Sequence, residues 1–189
     1  MYQALLADTR FHKLLLAFDQ DMADCARHEG CSCGGVLHSA RFRRKPRGAP
    51  AGIGEDYHWR LSLCCSVHGC RQRKTPPSLR FLGRKVYLGA VVVLVSMLQE
   101  GATAGRMAWL SKHLSVSHRT VVRWRQWWRQ AFTESRFWRA ARAAFMPPID
   151  HGRLPASLLE RFAGGSAERL IALLRFLEPI TGGAAAHAD

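Results

Sequence analysis

The hydrophobic positions of the chain follow a helical period over most of its length. Near the amino terminus, apolar residues recur every three or four positions, at Leu5, Leu6, Phe11, Leu14, Leu15 and Phe18. This spacing predicts an amphipathic helix over residues 1–24 that packs on another part of the molecule. Residues 86–98 are almost continuously apolar, which is typical of a helix that is buried on most sides.

Two shorter helices are predicted near the carboxyl terminus, over residues 156–162 and 167–177. Ser166 is placed to cap the second of them, and Pro179 should end it. Residues 181–189 are small and have little apolar surface to bury, so we expect a disordered tail there.

Residues 25–74 differ in composition and pattern from the helical segments: they contain cysteines, glycines and short alternating runs. In one run apolar residues alternate with polar ones, the period of a strand with one covered face: Tyr57, Trp59, Leu61 and Leu63. We expect this strand to lead into the second cysteine group, with residues 36–42 as its partner strand and residues 45–56 as the connecting loop. Paired prolines at 76 and 77 oppose helix and mark the end of this cysteine-rich segment.

The cysteines fall into two close groups, which predicts one tetrahedral metal site, since zinc prefers thiolates and the neighbouring glycines permit tight turns beneath it. The ligands that fit best, holding one structural Zn²⁺, are Cys31, Cys33, Cys65 and Cys70. The single residue between the first two is fewer than ribbons usually have. Three substitutes therefore stay open: Cys64, Cys25 and His68. In the alternative interpretation, several of these cysteines are simply small buried side chains.

The most specific pattern covers residues 110–128. Leu110 and Leu114 share one face of a helix, a short turn follows, and Ser117 can cap the next helix. At about 100° per residue, one side of that second helix is apolar and should be buried: Val121, Trp124 and Trp128. The arrangement is that of a helix-turn-helix, and residues 86–98 would supply the first helix of a three-helix unit.

The opposite side of the second helix carries Arg and Gln, which donate hydrogen bonds to guanine and adenine edges in the major groove: Arg119, Arg123, Gln126 and Gln130. Arg125 and Arg129 lie on the flank, where contacts to phosphates are expected. The alternative is an ordinary amphipathic helix with a solvated Arg face. The DNA-binding residues predicted from this motif are Ser117, His118, Arg119, Thr120, Arg123, Arg125, Gln126 and Arg129.

Charge favours a phosphate-bearing partner. The 189 residues include 28 Lys and Arg against 14 Asp and Glu, a net charge of +14, and the pI is near 10.6. Two basic clusters flank the motifs above and are expected to contact phosphates or a minor groove, unless they are merely solvated surface. They are Arg41, Arg43, Arg44, Lys45 and Arg47, and Arg71, Arg73, Lys74, Arg80, Arg84 and Lys85, of which Arg44, Lys45, Arg47 and Arg84 are the preferred DNA contacts.

Residues 115–124 (SVSHRTVVRW), together with the two cysteine groups, resemble the DNA-recognition parts of bacterial transposases. Residues 44–48 (RKPRG), 75–84 (TPPSLRFLGR) and 135–142 (SRFWRAAR) resemble uncharacterised bacterial proteins associated with mobile elements. The likeness covers most of the chain. It implies a mobile-element setting and implies no reaction.

A complete catalytic set is missing from the sequence. An acidic transposase needs three carboxylates that converge on two metal ions, whereas those after the predicted helix-turn-helix are scattered: Glu134, Asp150, Glu160, Glu168, Glu178 and Asp189. The tyrosines, at positions 2, 57 and 87, lack the Arg-His constellation of a recombinase. We therefore expect a protein that is not an enzyme.

Residues 1–20 lack the basic start and continuous apolar core of a signal peptide. The apolar run at residues 86–98 is about half the length that a membrane span needs. We expect a cytoplasmic, nucleoid-associated bacterial protein with no membrane partner, in which the cysteines bind metal rather than form disulfides.

The predicted fold is mainly α with a small β zinc ribbon: an N-terminal helix (1–24), the ribbon (25–76), the helix-turn-helix domain (77–132), a C-terminal helical region (133–180) and the tail (181–189). The expected function is zinc-containing, sequence-specific binding of double-stranded DNA by an accessory or regulatory protein of a mobile element. Two alternatives stay open. One is the DNA-recognition subunit of a transposase whose catalytic part is elsewhere, and the other is a zinc-stabilised protein-interaction module. A homodimer or a partner in a transposition complex fits these expectations.

Overall fold

A computed structural model of the chain describes residues 2–44, 46–82, 87–96, 104–114 and 116–182. The structure is mainly helical, at 56%, with a small antiparallel sheet and a cluster of cysteines. Several predicted features lie outside the described residues: Lys45, Arg84 and Ser115, the two ends of the apolar run at 86–98, and most of the predicted tail.

The described elements follow one another in a simple order. The helices are α1 (Tyr2–Ala7), α2 (Thr9–Glu29), α3 (Gly89–Ser96), α4 (Ala104–Leu114), α5 (His118–Trp127), α6 (Arg136–Ala141), α7 (Ala156–Leu159) and α8 (Ser166–Phe176). A π-helical turn, Trp128–Phe132, continues α5. The strands are β1 (Leu37–Ser39), β2 (Phe42–Arg43), β3 (Trp59–Arg60), β4 (Leu63–Cys65) and β5 (Arg73–Lys74).

The amino-terminal segment forms two helices where the hydrophobic period predicted one. Asp8 interrupts the helix and caps α2, because its carboxylate accepts a hydrogen bond from the Arg10 amide at 2.8 Å. Helix α2 then extends past the predicted end at residue 24, since no helix breaker occurs before Gly30, whose positive φ of 73° ends it. The apolar stripe of α2 packs into the core through Phe11 and Leu15.

The strands form two small antiparallel sheets in the cysteine module, the name used below for residues 31–74. Strand order in one sheet is β1-β4-β5, and β2 pairs with β3 in the other. The predicted pairing of residues 36–42 with the later strand is therefore present, with Leu37 opposite Cys65 and Phe42 opposite Arg60.

The predicted single strand from Tyr57 to Leu63 is broken. Tyr57 lies in a 3₁₀ turn, and β3 and β4 belong to different sheets. The alternating pattern fails because two of its polar members, Arg60 and Ser62, are buried. The Arg60 guanidinium donates to the backbone carbonyls of Pro76 and, at 3.3 Å, of Thr181. The polar side of this run is therefore hydrogen-bonded inside the protein and is not exposed to solvent.

The helices share one hydrophobic core with α3 near its centre. Every residue of α3 is buried, and this helix contacts α1, α5 and α8. It begins at Gly89, because Tyr87 and Leu88 form isolated β-bridges with Arg47 and Phe81 before the helix starts. The amino-terminal, central and carboxyl-terminal helical segments predicted from the sequence thus pack around a common core, called the helical body below.

Of the two predicted carboxyl-terminal helices, the first is shorter than its hydrophobic pattern suggested and the second is shifted by one residue. Helix α7 is a single turn, and α8 is capped at Gly165, so Ser166 is its first residue and not its N-cap. The Glu168 carboxylate accepts a hydrogen bond from the Gly165 amide at 2.6 Å. The Glu168 carboxylate therefore accepts a free amide hydrogen at the start of the helix, where the Ser166 hydroxyl was predicted to act as the cap.

A buried ion pair joins α2 to the segment that follows the cysteine module. Asp19 and Arg80 are both fully buried, with Arg80 Nε 2.8 Å from the Asp19 carboxylate. The same carboxylate accepts from the Ser78 hydroxyl at 2.5 Å and from the Leu79 amide at 2.7 Å. We call these four residues the polar junction. Arg80 was expected on the surface against phosphates, and this expectation is wrong because its charge is neutralised inside the protein.

Candidate functional site

Four cysteine thiols converge at one end of the cysteine module. The sulfur atoms of Cys31, Cys33, Cys65 and Cys70 all lie within 4.8 Å of one another. The Sγ–Sγ distance is 3.7 Å between Cys31 and Cys70 and 3.4 Å between Cys33 and Cys65. The four residues that the spacing favoured are the ones that the structure brings together, and the group could hold a metal ion.

The first cysteine pair is carried on a tight turn between α2 and β1. The Gly34 amide donates to the Cys31 carbonyl at 2.8 Å, and the Cys31 amide donates to the Gly35 carbonyl at 3.1 Å. Gly34 has a φ of +82°, which favours glycine. At Gly35 the reason for glycine is space, because a Cβ there would lie 2.6 Å from Cys65 Sγ.

The second pair is carried by the end of β4, at Cys65, and by the loop between β4 and β5, at Cys70. The amides of Cys70 and Arg71 both donate to the Val67 carbonyl, at 3.0 and 3.1 Å, which closes the turn. The Val67 amide points at Cys65 Sγ from 3.4 Å. An amide directed at a sulfur stabilises the thiolate, the form that binds metal.

The four thiols do not ionise equally. A hydrogen bond from the Cys33 backbone lowers the pKa of Cys31 to about 7. The Val67 amide lowers the pKa of Cys65, but burial and the neighbouring thiols outweigh it and raise that pKa to about 12. Four adjacent thiolates repel one another, so a bound cation is what would allow all of them to lose their protons.

The substitutes considered from the sequence do not join this cluster. Cys64 projects from β4 with its sulfur near the backbone carbonyls of Cys65 and Arg71, at 3.8 and 3.7 Å. Cys25 is exposed on α2. Neither of these cysteines, nor His68, belongs to the metal-binding group found among the described residues.

A second candidate site is the surface around α5. Helix α4 ends with Leu110 and Leu114 buried, and Val116 after it is fully buried. Ser117 then caps α5 from an extended backbone, with φ −83° and ψ 158°, and its hydroxyl accepts from the Thr120 amide at 3.3 Å. Helix α4, helix α5 and the cap at Ser117 lie where the sequence predicted them, and Ser115 of the predicted turn lies outside the described residues.

The buried side of α5 is the predicted one. Val121, Trp124 and Trp128 are all buried in the common core. The Trp124 ring meets the Tyr87 ring edge to face, with centroids 4.9 Å apart, and Trp128 packs on Phe132 at 4.9 Å. These contacts fix the rotation of α5 about its axis and therefore decide which residues face solvent.

The opposite side of α5 is exposed over its full length: His118, Arg119, Val122, Arg123 and Gln126, followed by Gln130 in the π-helical turn. Gln126 donates to the Gln130 side chain at 3.1 Å. Within the described ranges, the side chains of Arg119 and Arg123 make neither a hydrogen bond nor an ion pair. Their guanidinium groups are therefore available to an external acceptor.

Three residues predicted at this surface sit differently. Thr120 is buried and its hydroxyl lies 3.0 Å from that of Ser117, so it supports the cap instead of facing outward. Arg129 donates to the Gly152 carbonyl at 3.1 Å. Arg125 is partly buried, and its Nε and one Nη have no hydrogen-bond partner in the part of the chain described. Burial, and secondarily Arg129, lowers the pKa of Arg125.

One basic residue of the module's loop lies close to α5. Arg47 is exposed, and its guanidinium sits 5.8 Å from the centre of the Tyr87 ring, which in turn packs on Trp124. Arg44 instead lies over the Phe81 ring at 5.7 Å. Arg47 is therefore linked through Tyr87 to the buried side of α5, opposite the side that carries Arg119 and Arg123.

Two features were not predicted from the sequence: the exposed position of Val122 on α5 and the buried position of Asp19 in the polar junction. Val122 was passed over because only polar residue types were considered, although the helical period already placed it on the exposed side. Asp19 was also missed. It is one polar residue in a long amphipathic helix, and no local signal distinguishes a buried carboxylate from a solvated one.

Comparisons with known proteins add nothing to this geometry, because no protein-family model, curated protein or solved structure matches the chain. Among the described residues, no helix combines the length and the apolar character that crossing a bilayer requires. Any function assigned to the two sites must therefore be argued from their residues.

Proposed function

We propose that the protein binds double-stranded DNA in a sequence-specific manner, with α4 and α5 as a helix-turn-helix and with the cysteine module as a zinc ribbon. In this proposal α5 is the recognition helix and enters the major groove. The resemblance of residues 115–124 to transposase DNA-recognition segments further leads us to propose an accessory or regulatory role in a mobile element.

The observation that carries the proposal is the exposed arginine stripe of α5. The side chains of Arg119 and Arg123 are exposed and have no partner within the described ranges, while Val121 and Trp124 of the same helix are buried on the opposite side. An arginine fork can donate two parallel hydrogen bonds to the O6 and N7 atoms of guanine. Gln126, one turn further along, has the amide geometry that matches the N6 and N7 atoms of adenine.

Backbone contacts would come from the flanks of this helix. Arg125 lies on the flank of α5 with a half-buried guanidinium, whose positive charge would attract a phosphate. Its Nε and one Nη, which lack partners among the described residues, are themselves enclosed. Arg47, whose guanidinium lies near Tyr87, offers a second exposed cation. The net charge of +14 would increase the rate of encounter with DNA at low salt.

Zinc fits the cysteine cluster. Tetrahedral Zn²⁺ with Zn–S bonds of about 2.3 Å requires sulfur atoms about 3.8 Å apart. The Sγ–Sγ distances from Cys31 to Cys70 and from Cys33 to Cys65 are 3.7 and 3.4 Å. Four thiolates leave no open position for substrate, so the ion would be structural. Cys31, Cys33, Cys65 and Cys70 would hold it and thereby join the turn after α2 to the loop after β4.

The decisive experiment is selection of bound duplexes from a random DNA pool, followed by affinity measurements on the selected site and on random DNA. We expect Arg119→Ala and Arg123→Ala each to weaken binding to the selected site by about 1 to 3 kcal/mol, the usual value of one bidentate interaction with a base. Arg125→Ala should weaken binding to both DNAs alike, because a phosphate contact carries no sequence information.

Arg10→Ala is the matched control, since it removes the same charge from a side chain that is 93% exposed on α2. It should leave the difference between selected and random DNA unchanged. Failure of the selection to enrich any sequence would contradict the proposal. Equal losses of affinity on both DNAs for Arg119→Ala and Arg123→Ala would remove their base-reading role.

A further inference from the structure

An apolar residue occupies the middle of the exposed stripe of α5. Val122 is 45% exposed and lies outside the core cluster that takes in Val121 and Trp124. It is preceded in the stripe by Arg119 and followed by Arg123 and Gln126. The rest of this stripe is polar, so Val122 is a small apolar patch inside a surface that is otherwise suited to hydrogen bonding.

The helical period places Val122 on the exposed surface between His118 and Gln126, about 100° from Arg123. At about 100° per residue, Val122 lies about 40° from Gln126 and about 60° from Arg119. The buried residues Val121, Trp124 and Trp128 centre on the far side of the helix. A duplex that receives hydrogen bonds from Arg119 and Gln126 would therefore lie directly against the Val122 side chain.

The folded chain gains little from valine at this position. A β-branched residue in a helix loses side-chain freedom, and alanine is the better helix former. Burial does not explain the choice either, since nearly half of the side chain is in water. A lone exposed apolar residue is common on protein surfaces, so its meaning here comes from the base-reading residue types on both sides of it.

We propose that Val122 contacts the 5-methyl group of a pyrimidine in the major groove, and that the target site therefore contains such a base opposite the middle of α5. The inference rests on the proposed function. Among the chemical groups that base pairs present in the major groove, the thymine C5-methyl is the apolar one, and apolar side chains contact it. The same methyl group is present in 5-methylcytosine, so two bases share this chemistry.

The test uses the full-length protein and the duplex selected from the random pool. Each thymine of the selected site is replaced in turn by uracil, which removes only the methyl group. We expect replacement at one position in the stretch facing α5 to weaken binding about three- to fivefold, the effect of burying about one methyl group. Val122→Ala should bind the thymine duplex with a similar decrease in affinity and should no longer distinguish thymine from uracil there.

A further duplex separates the two sources of the methyl group. In this duplex each cytosine of the selected site is replaced in turn by 5-methylcytosine, which adds only the methyl group. Tighter binding that disappears in Val122→Ala assigns the contact to 5-methylcytosine, whereas a response to uracil alone assigns it to thymine. Val36→Ala is the matched control, because Val36 is 63% exposed in the cysteine module, and it should keep the wild-type responses.

The outcomes distinguish this inference from the function on which it rests. If the wild type selects a sequence but no thymine-to-uracil or cytosine methylation change alters its affinity, the methyl contact is refuted and sequence-specific binding stands. The contact is likewise refuted if Val122→Ala keeps the wild-type response to methyl removal. If no sequence is selected at all, the proposed function itself has failed. Val122→Ala should fold normally, which circular dichroism checks, since alanine suits an exposed helical position.

Discussion

The cysteine module and the helical body are held together by different amounts of apolar burial. In the described part of the module, the separate buried cluster consists of Ala26, Leu37, Leu63 and Cys65, and one of these belongs to the adjacent helix. The helical body has a continuous core rich in aromatic side chains, including Trp128, Phe132 and Trp138. Ile53 and Tyr57, from the module's loop, also pack into that larger core.

This difference shows how the two regions can be stabilised independently. The β1-β4-β5 sheet has a core of only a few side chains, which is too little to offset the conformational entropy of ordering it, so a cross-link such as the proposed zinc ion would stabilise it. The helical body has enough buried apolar surface to fold without one. The polar junction lies between them, where Asp19 from α2 receives the Ser78–Arg80 segment that leads out of the module.

The largest expected effect comes from removing the proposed zinc ion. Cys65→Ser, or a strong zinc chelator, should unfold the β1-β4-β5 sheet and the two cysteine turns and leave most of the helical signal in circular dichroism. Structural zinc contributes about 10 to 16 kcal/mol of apparent binding free energy in small zinc domains at neutral pH, far more than the module's own core supplies. Metal analysis of the purified protein and amide hydrogen exchange measure the two effects.

Cys25→Ser and Cys64→Ser are the controls, since neither sulfur belongs to the four-cysteine cluster. Both variants should keep one zinc ion per chain. Metal-free protein in which the amides of β1 and β4 remain protected from exchange would show that these strands fold without a metal ion, as the helical body does.

The next largest effect should come from breaking the polar junction. Asp19→Ala leaves Arg80 buried without its carboxylate, and removal of one partner from a buried ion pair costs about 3 to 5 kcal/mol. The destabilisation is read from the urea midpoint of global unfolding. Asp24→Ala is the matched control on the same helix, because its ion pair with Arg27 is exposed and contributes about 0 to 1 kcal/mol. Equal destabilisation by the two variants would contradict the assigned role of the junction.

A smaller effect confined to the helical body should follow from changing the cap of α5. Ser117→Ala leaves the Thr120 amide without its side-chain acceptor and should destabilise the protein by about 1 kcal/mol. Ser117→Asn restores an acceptor and should lie close to the wild type. Urea unfolding measures both, and metal content should be unchanged in each. An alanine variant as stable as the wild type would show that the cap does not hold α5.

The smallest expected effect concerns pH. His12 is fully buried, with Nδ1 2.8 Å from the Tyr57 hydroxyl and Nε2 3.1 Å from the Leu6 carbonyl. Burial lowers the pKa of His12 below 6.5, although the Leu6 carbonyl and Asp8 oppose this shift. The unfolded chain therefore binds a proton that the folded chain resists, so this contribution to stability is complete above about pH 6.5 and is lost as the pH falls below it.

His12→Gln should flatten the decline in stability between neutral and mildly acidic pH, whereas His28→Gln, on the exposed side of α2, should keep it. Unfolding midpoints across this pH range test the difference. Each variant is compared with the wild type at the same pH, because zinc thiolates are also protonated in acid. An unchanged pH dependence in His12→Gln would exclude this histidine as its source.

Local signals located the two candidate sites well. The four favoured cysteines do meet, because paired cysteines beside glycines constrain the chain over a few residues. The cap at Ser117 and the buried side of α5 also follow from nearest-neighbour geometry. The broken strand at Arg60 was missed because it depends on the backbone carbonyls of Pro76 and Thr181, which come from other parts of the fold. The cap at Gly165 was missed because the Glu168 side chain competes with Ser166 at the start of the helix.

The sequence by itself determined which side of α5 is apolar and indicated that the two cysteine groups can bind metal, because both depend on spacings of a few residues. The tertiary structure decided which four cysteines meet. Only the tertiary structure decided that Arg80 and Asp19 are buried against each other and that Thr120 supports the cap. It also decided that Arg119 and Arg123 remain free of partners in the described ranges. Burial of a charged residue is set by what packs against it from distant parts of the chain, and that information is not contained in any local pattern.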